Sequence, residues 1–308
     1  TLNLAMNSSN SGRCEEAEAY FADAEALIPA DDPTLRARSL NYRALHARNR
    51  GRFDEAVRHA RAALSLRAQV HTQGAAATTA GRPATAGADG PLVIDPGTAR
   101  RLNAPSPAQS QIEAPRVSQA EQLAIQDAQA WQAIGTSLAM QGQVAEARQA
   151  LMRAQDILVR SAALGRLTAW LQSRVTADLA ELDLREGRAV QAAAGYQRAL
   201  GVLRTRHAGS AGEGALLLDL GRAQAAAGQD DVALATFGRA MEIFRAQRGG
   251  LGDSANASAP YFDLLLKAIA RDPARAGEYG ARFFDASQTV VSSATAETVN
   301  RLAARAAA

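Results

Sequence analysis

One short residue pattern recurs five times, and it constrains this chain more than any other feature of the sequence. Each copy has a glycine, an alanine five residues later, a residue that is usually bulky four beyond it, and an alanine after three more. Because steps of four and three residues return to one face of a helix, each glycine should precede an amphipathic helix. The copies are Gly12–Ala17–Phe21–Ala24, Gly51–Ala56–Ala60–Ala63, Gly142–Ala147–Leu151–Ala154, Gly187–Ala192–Tyr196–Ala199 and Gly228–Ala233–Phe237–Ala240.

The pattern predicts pairs of antiparallel helices. A glycine meets a positive φ angle easily, so it suits the turn between two helices. Alanines allow two helices to cross closely, and the bulky residue fills the space between neighbouring pairs. No single pair buries its apolar face alone, so at least three pairs must stack. We therefore expect an all-α chain.

A second pattern precedes the glycines and identifies the repeat type. The third copy has Trp131-x-x-Ile134-Gly135-x-x-Leu138, and the fifth has Leu217-x-x-Leu220-Gly221. Together the two patterns resemble the tetratricopeptide repeat (TPR). The resemblance implies a right-handed superhelix of about five or six helical hairpins, whose first helices line a concave groove. A weak sixth copy runs through Tyr261, Leu264, Asp272 and Phe284.

The copies divide the chain into four segments. Residues 1–71 hold repeats 1 and 2, residues 119–292 hold repeats 3 to 6, and residues 293–308 form a capping or linker helix beginning near Ser293 to Glu297. Residues 72–118 carry six of the ten prolines and no aromatic residue, so we expect a largely disordered insertion. The insertion is either a tolerated loop or an arm that covers the groove. Thr1 falls inside the first helix of repeat 1, which suggests a longer parent protein.

The composition argues against several classes of function. Net charge is +3 without a strongly clustered basic face, which does not predict nucleic-acid binding. The sequence has no apolar stretch of about 18 residues, so we expect no membrane span. Cys14 is the single cysteine, which excludes an internal disulfide and cysteine-based zinc sites. Basic charge is almost entirely arginine, with Lys267 the only lysine, a bias typical of GC-rich bacterial genomes.

No catalytic, cofactor or metal site is predicted. Cys14 with His46 or His59 is the one nucleophile–base pair to consider, and no orienting Asn or Asp stands at a recognisable spacing. The glycine-rich stretch Gly209–Gly214 has neither the preceding strand nor the lysine of a phosphate-binding loop, so it should be a connector. We expect a chain that is not an enzyme and binds no cofactor.

The TPR resemblance implies a peptide-binding groove on the first helices. Arginines 36, 38, 43, 48, 50 and 52 share one predicted helix and its turn without an acidic residue, so they form either a solvated face with local ion pairs or part of a ligand surface. Counting from Trp131, the candidate groove residues are Arg38, Asn41, Arg48, Gln129, Gln132, Thr136, Arg174, Glu181, Leu218 and Arg222.

Three longer phrases resemble bacterial proteins in which TPR repeats precede a caspase-like CHAT domain. They span Arg36–Ala56, Ala128–Ala147 and Phe283–Arg305. The resemblance implies that this chain is the regulatory N-terminal region of a CHAT protease, with the catalytic His and Cys beyond residue 308. The alternatives are a self-associating assembly platform and a hydrolase in its own right. The expected partner is a protein or peptide.

Overall fold

The computed structural model describes residues 1–79, 90–91, 116–117, 119–160, 168–247 and 256–306, and these ranges contain twelve α-helices. Consecutive helices pair into six hairpins, which confirms the all-α, TPR-like class. The helices are α1 (Leu2–Asn10), α2 (Cys14–Leu27), α3 (Pro33–Asn49), α4 (Phe53–Thr79), α5 (Gln119–Met140), α6 (Val144–Arg160), α7 (Ala169–Arg185), α8 (Ala189–His207), α9 (Ala211–Ala226), α10 (Asp230–Ala246), α11 (Ala259–Arg271) and α12 (Ala276–Ala306).

Glycine closes the turn in each of the first five hairpins. Gly12, Gly51, Gly142, Gly187 and Gly228 all have φ between +71° and +78°. The glycine N–H donates to the carbonyl three residues earlier, and the next N–H donates to the carbonyl five residues earlier, at 2.8–3.2 Å. These paired bonds satisfy the last carbonyls of the first helix and turn the chain back along it. The turn residue predicted for every copy is therefore correct.

The alanines and bulky residues of the pattern form the core of each hairpin. All fifteen of these side chains are at most 4% exposed. Large residues such as Phe21, Tyr196 and Phe237 occupy the middle position, where they fill the space left by the small residues around them. The spacing in the sequence thus identified the buried face of every second helix in these five hairpins.

Gly135 marks the closest helix crossing in the third hairpin. A Cβ atom at this position would lie 2.6 Å from Leu151 Cγ and 3.0 Å from the Ala147 carbonyl oxygen. Both residues belong to α6, so the glycine lets α5 and α6 approach each other. The Trp131 register predicted this contact from the sequence.

We expect Gly135→Leu to lower the free energy of unfolding of the third hairpin by about 1–3 kcal/mol, because the side chain would overpack against α6. Thermal unfolding and amide exchange of α5 and α6 measure the effect. Gly201→Leu is the matched control, because a Cβ there meets nothing within 4 Å. An unchanged melting temperature in Gly135→Leu would show that the register of α5 against α6 is wrong.

The helices form two compact units, with the boundary inside α7. The first unit runs through Asp178 and contains α1 to α6 with the first part of α7. The second unit begins at Leu179 and contains the end of α7 with α8 to α12. Each unit has its own core of stacked helices.

The sixth hairpin departs from the repeat pattern. A 3-10 turn, Pro273–Arg275, joins α11 to α12, and Asp272 before it has a φ of −134° instead of a glycine conformation. Tyr261 and Leu264 are buried as the weak sixth copy predicted, but Phe284 is 63% exposed. The core contacts of α12 come from residues such as Tyr279, because the different turn sets a different register.

The boundaries of the segments also differ from those predicted from the sequence. Helix α4 continues to Thr79, and Gly90–Pro91 pairs antiparallel with Arg116–Val117; the rest of the proposed insertion lies outside the described residues.

The prediction that a helix begins near Ser293 is wrong, because α12 runs through this residue without a break. Hydroxyl side chains can bond the carbonyl four residues back inside a helix instead of capping one, as the hydroxyls of Ser287 and Thr289 do earlier in α12.

Candidate peptide-binding face

Arg43 and Arg50 of the arginine-rich segment bind the acidic helix α2 beside them. Arg43 on α3 donates to both carboxylate oxygens of Glu25 at 2.8 and 2.9 Å and to Glu18 at 2.6 Å, both on α2. Hydrogen bonds from Arg43, together with its charge, outweigh the effect of burial and hold the pKa of Glu25 below its ordinary value. The fork-shaped guanidinium thus joins the first two hairpins.

The other arginines of this group have separate contacts. Arg36 donates to the Ala30 carbonyl, Arg50 to Glu18 and Arg52 to Glu55. Arg38 lies over the ring of Tyr42, with the guanidinium carbon 5.7 Å from the ring centroid. Local ion pairs therefore account for Arg43, Arg50 and Arg52, while the half-buried Arg38 has no carboxylate against it among the residues that the structure describes.

His46 connects the first three helices from a buried position. Its Nδ1 lies 2.9 Å from the Ser9 hydroxyl on α1, and its Nε2 lies 3.2 Å from Glu18 on α2. The ring packs against Phe21 at 5.4 Å between centroids. Burial lowers the pKa of His46, with Arg50 and Arg43 acting in the same direction and Glu18 opposing them.

A hydrolytic triad combines a hydroxyl, an imidazole and a carboxylate, and these groups come together here in Ser9, His46 and Glu18. The sequence pattern did not predict this arrangement. However, Ser9 and His46 are only 4% and 3% exposed, and the serine oxygen also accepts a hydrogen bond from Asn49. A nucleophile must reach a substrate carbonyl, so this arrangement is suited to holding helices together.

We expect acid to destabilise the first hairpin in two steps. Unfolded His46 gains its proton near pH 6.5 and the folded residue only at lower pH, so its contribution to stability is complete above pH 6.5 and declines below it. The pKa values of Glu18 and Glu25 are lowered, so their contributions decline below about pH 4.5.

Thermal melts between pH 4 and 8, with NMR titration of the imidazole, measure the first step. His46→Gln should abolish it, and His59→Gln on α4 should retain it. A His46 ring that titrates at or above pH 6.5 would contradict the expectation.

The predicted residues of the first unit lie where consecutive first helices meet. Asn41 on α3 donates to the Gln126 carbonyl on α5 at 3.2 Å, and Gln132 on α5 donates to Asp178 on α7 at 2.7 Å. Both side chains are buried. The structure thus brings Asn41, Gln132 and their neighbours to one side of α3, α5 and α7. Asn41 and Gln132 themselves already hold neighbouring helices together.

The remaining predicted residues of this unit differ in availability. Gln129 is half-buried, and the Thr136 hydroxyl is used by carbonyls of its own helix. Arg174 is exposed and pairs with Asp178 at 3.2 Å, and Arg48 on α3 is half-buried and also has an interaction partner. We call Arg38, Gln126 and Gln129 the α3–α5 face.

A buried polar junction below this face was missed by the sequence reading. Arg67 on α4 is fully buried, and it pairs with Asp127 and donates to the Gln126 carbonyl at 3.3 Å, both on α5. A signal was present in the sequence. Arg67 continues the apolar row of Ala60 and Ala63 by one helical turn, which places a charge on the buried face of α4.

In the second unit the predicted residues form one ionic cluster. Glu181 on α7 accepts hydrogen bonds from Tyr196 at 2.8 Å, Arg222 at 2.6 Å and Arg185 at 3.0 Å. The pKa of Glu181 lies below its ordinary value. Burial acts to raise this pKa, but the charge of Arg222 and the hydrogen bonds from Arg185 and Tyr196 lower it by more, so the carboxylate is stabilised. Burial and the nearby carboxylates raise the pKa of Tyr196.

Leu218 must be removed from the candidate face. It is fully buried, as are Leu216, Leu217 and Leu220 of the same helix, so it does not contact a ligand. Helix α9 is covered on nearly all sides, and Asp219 and Arg222 are among its few partly exposed side chains. The prediction failed because a helix enclosed by neighbours has no single apolar face for the sequence to reveal.

In the part of the chain that the structure describes, no catalytic Cys–His pair and no metal site is assembled. Cys14 is half-buried at the start of α2, while His46 contacts Ser9 and Glu18, and His59 contacts Glu55. In the described ranges, no group of three or more His, Cys, Asp or Glu side chains is arranged so that it could hold a metal ion. None of the described helices is long and apolar enough to cross a bilayer.

The glycine-rich connector before α9 is a helix cap. The Ser210 hydroxyl accepts a hydrogen bond from the Glu213 N–H, and Glu213 accepts one from the Gly209 N–H at 2.7 Å. Reciprocal bonds of this kind satisfy the free amides at a helix start. Glu213 is also paired with Arg204 at 2.6 Å, so this loop positions α9 after α8.

Comparison with known proteins supports the fold. No family model and no curated protein sequence matches the chain. Among solved structures, the apo form of RapI has a TM-score of 0.55 and 12% identity, over 96% of this chain and 95% of that one. BtubC from P. vanneervenii has a TM-score of 0.51 and 17% identity, over 80% and 79%.

A third solved structure is described as a kinesin light chain with nearly identical TPR-like repeats, from Podosopora anserina. It has a TM-score of 0.46 and 17% identity, over 80% of this chain and 95% of that one. At these identities the first two structures define the fold alone. With the six hairpins described above, the chain has the TPR-like helical-repeat fold.

Proposed function

We propose that this chain is a non-catalytic scaffold that binds a peptide or a partner protein through the first helices of its hairpins. The observation that carries the proposal is the α3–α5 face. Its three side chains lie on neighbouring first helices, are partly exposed, and combine one cation with two amides. By contrast, Glu181 and Arg222 are paired with each other at 2.6 Å.

The chemistry of the α3–α5 face favours an uncharged or acidic chain segment. The Gln129 amide both donates and accepts, so it can pair with peptide groups of an extended ligand, whereas the Oε1 atom of Gln126 is buried. Arg38 lies against Tyr42 instead of a carboxylate, which leaves its guanidinium available for an acidic side chain. The other predicted residues, Asn41 and Gln132, support the face by tying α3 to α5 and α5 to α7.

Binding should depend on the α3–α5 face. A pull-down with the 308-residue chain, followed by mass spectrometry, identifies candidate partners, and calorimetry measures their affinity. We expect Arg38→Ala with Gln129→Ala to weaken binding at least 10-fold, at about 1.4 kcal/mol per factor of ten. Arg36→Ala with Gln143→Ala is the matched control and should change the affinity less than 2-fold. Equal affinities for both double variants would place the binding surface elsewhere.

We further propose that the scaffold regulates a downstream caspase-like CHAT domain, as the three sequence phrases suggest. The partner bound by the hairpins would then act as an activator or inhibitor of that protease. Reading the gene beyond residue 308 tests the proposal, which requires a caspase-like domain with its own His and Cys in the same reading frame.

Self-association is the second candidate function, and the last hairpin provides its support. Leu266, Phe284 and Val291 are each more than half exposed on α11 and α12. Phe284 and Val291 are seven residues apart and so share one face of α12, and an exposed apolar face can serve as an interaction surface. Sedimentation velocity over a range of concentrations should show association that Phe284→Glu abolishes. A single monomeric species at all concentrations would exclude an assembly role.

A further inference from the structure

Three buried polar atoms without a hydrogen-bond partner lie at the junction of α3, α4 and α5. They are the Nη1 of Arg67, the Oδ1 of Asn41 and the Oε1 of Gln126. The three residues meet at one backbone group, because the Asn41 amide and the Arg67 Nη2 both donate to the backbone carbonyl of Gln126, at 3.2 and 3.3 Å. Arg67 is fully buried and Asn41 is 7% exposed.

Leaving these atoms unpaired would be costly. A buried donor or acceptor without a partner loses its hydration and gains no hydrogen bond in exchange. The set consists of one donor and two acceptors. An anion does not fit it, because the two amide oxygens and the Asp127 carboxylate on Arg67 would repel a negative charge.

We propose that this junction is a binding site for one buried water molecule. A water oxygen accepts a hydrogen bond from Arg67 Nη1, and its two hydrogens are donated to Asn41 Oδ1 and Gln126 Oε1. Three hydrogen bonds are typical of a water buried in a protein. One water thus offers an acceptor to Arg67 Nη1 and a donor to each of the two amide oxygens.

The bound water joins the second hairpin to the third. Asn41 and Arg67 belong to α3 and α4, whereas Gln126 belongs to α5. The water therefore holds the Gln126 amide at the base of the α3–α5 face and gives the Nη1 of the buried Arg67 a hydrogen-bond acceptor. This assignment stands independently of what the face binds.

High-resolution crystallography and water-oxygen magnetic relaxation dispersion of the 308-residue chain test the site. We expect one ordered water within about 2.7–3.2 Å of Arg67 Nη1 and of at least one of the two amide oxygens. Gln126→Leu combined with Asn41→Leu should reduce the count of long-lived waters by one. Gln129→Leu, on the same helix, should leave that count unchanged.

If the double variant fails to fold, Gln126→Met alone and the wild-type crystal structure decide the matter. Gln126→Met should leave the water in place with only Arg67 and Asn41 as partners. A direct contact of Arg67 Nη1 with an amide oxygen, with no water between them, would overturn the proposal. An equal count of long-lived waters in wild type and double variant would do the same.

Discussion

Asp127→Asn should lower the free energy of unfolding at the junction of α4 and α5 by about 3 kcal/mol. The change keeps the shape of the side chain but removes the carboxylate that pairs with the fully buried Arg67. Removing one partner of a buried ion pair costs about 3–5 kcal/mol, because the other charge stays buried without compensation. The lower end applies here because Asp127 itself is partly exposed.

The measurement should be local, since repeat proteins can open one hairpin at a time. Amide exchange should rise most in α4 and α5, and the first thermal transition should move to lower temperature. Asp231→Asn is the control, because Asp231 and its partner Arg271 are both exposed, and it should leave the melting temperature unchanged. The double variant Arg67→Met with Asp127→Leu should recover most of the loss, because no charge remains buried. A double variant as unstable as Asp127→Asn would show that packing, and not charge, explains the effect.

Phe237→Ala should have a similarly large effect in the second unit, about 3–5 kcal/mol. The ring is fully buried on α10 and lies directly against Gly221 of α9, where an added Cβ would sit 2.9 Å from the ring. It also stacks on Tyr261 of α11 at 5.4 Å between centroids. Truncation therefore leaves a cavity among three helices that cannot all move inward.

Phe284→Ala is the matched control for this prediction. The same change at a 63% exposed position removes little buried area and should alter stability by less than about 0.5 kcal/mol. Differential scanning calorimetry of both variants, with amide exchange in α9 to α11, gives the comparison. Equal losses in the two variants would mean that α10 does not pack as described.

The sequence predicted hairpin turns and buried faces well because both depend on residues close together in the chain. A positive φ angle at Gly187, for example, needs only the glycine and the helix before it. A row such as Ala192, Tyr196 and Ala199 is buried by the periodicity of one helix. Local rules therefore determined the all-α fold, the first five turns and the face on which each second helix packs.

The candidate site depended on contacts between helices distant in sequence, and there the sequence was less informative. Arg43 and Arg38 look equivalent along α3, yet Arg43 is held by two carboxylates of α2 and Arg38 lies at the surface. Leu218 is enclosed although its spacing suggested a groove position.

Repetition along the chain by itself determined the hairpins, because each turn and each apolar row is a local property. Only the tertiary structure decided which polar side chains remain available and which are used within the protein. Arg67 shows the reason. Whether a charge on a helix lies in water or beside one buried carboxylate depends on which helix covers it, and that helix is 60 residues away at Asp127.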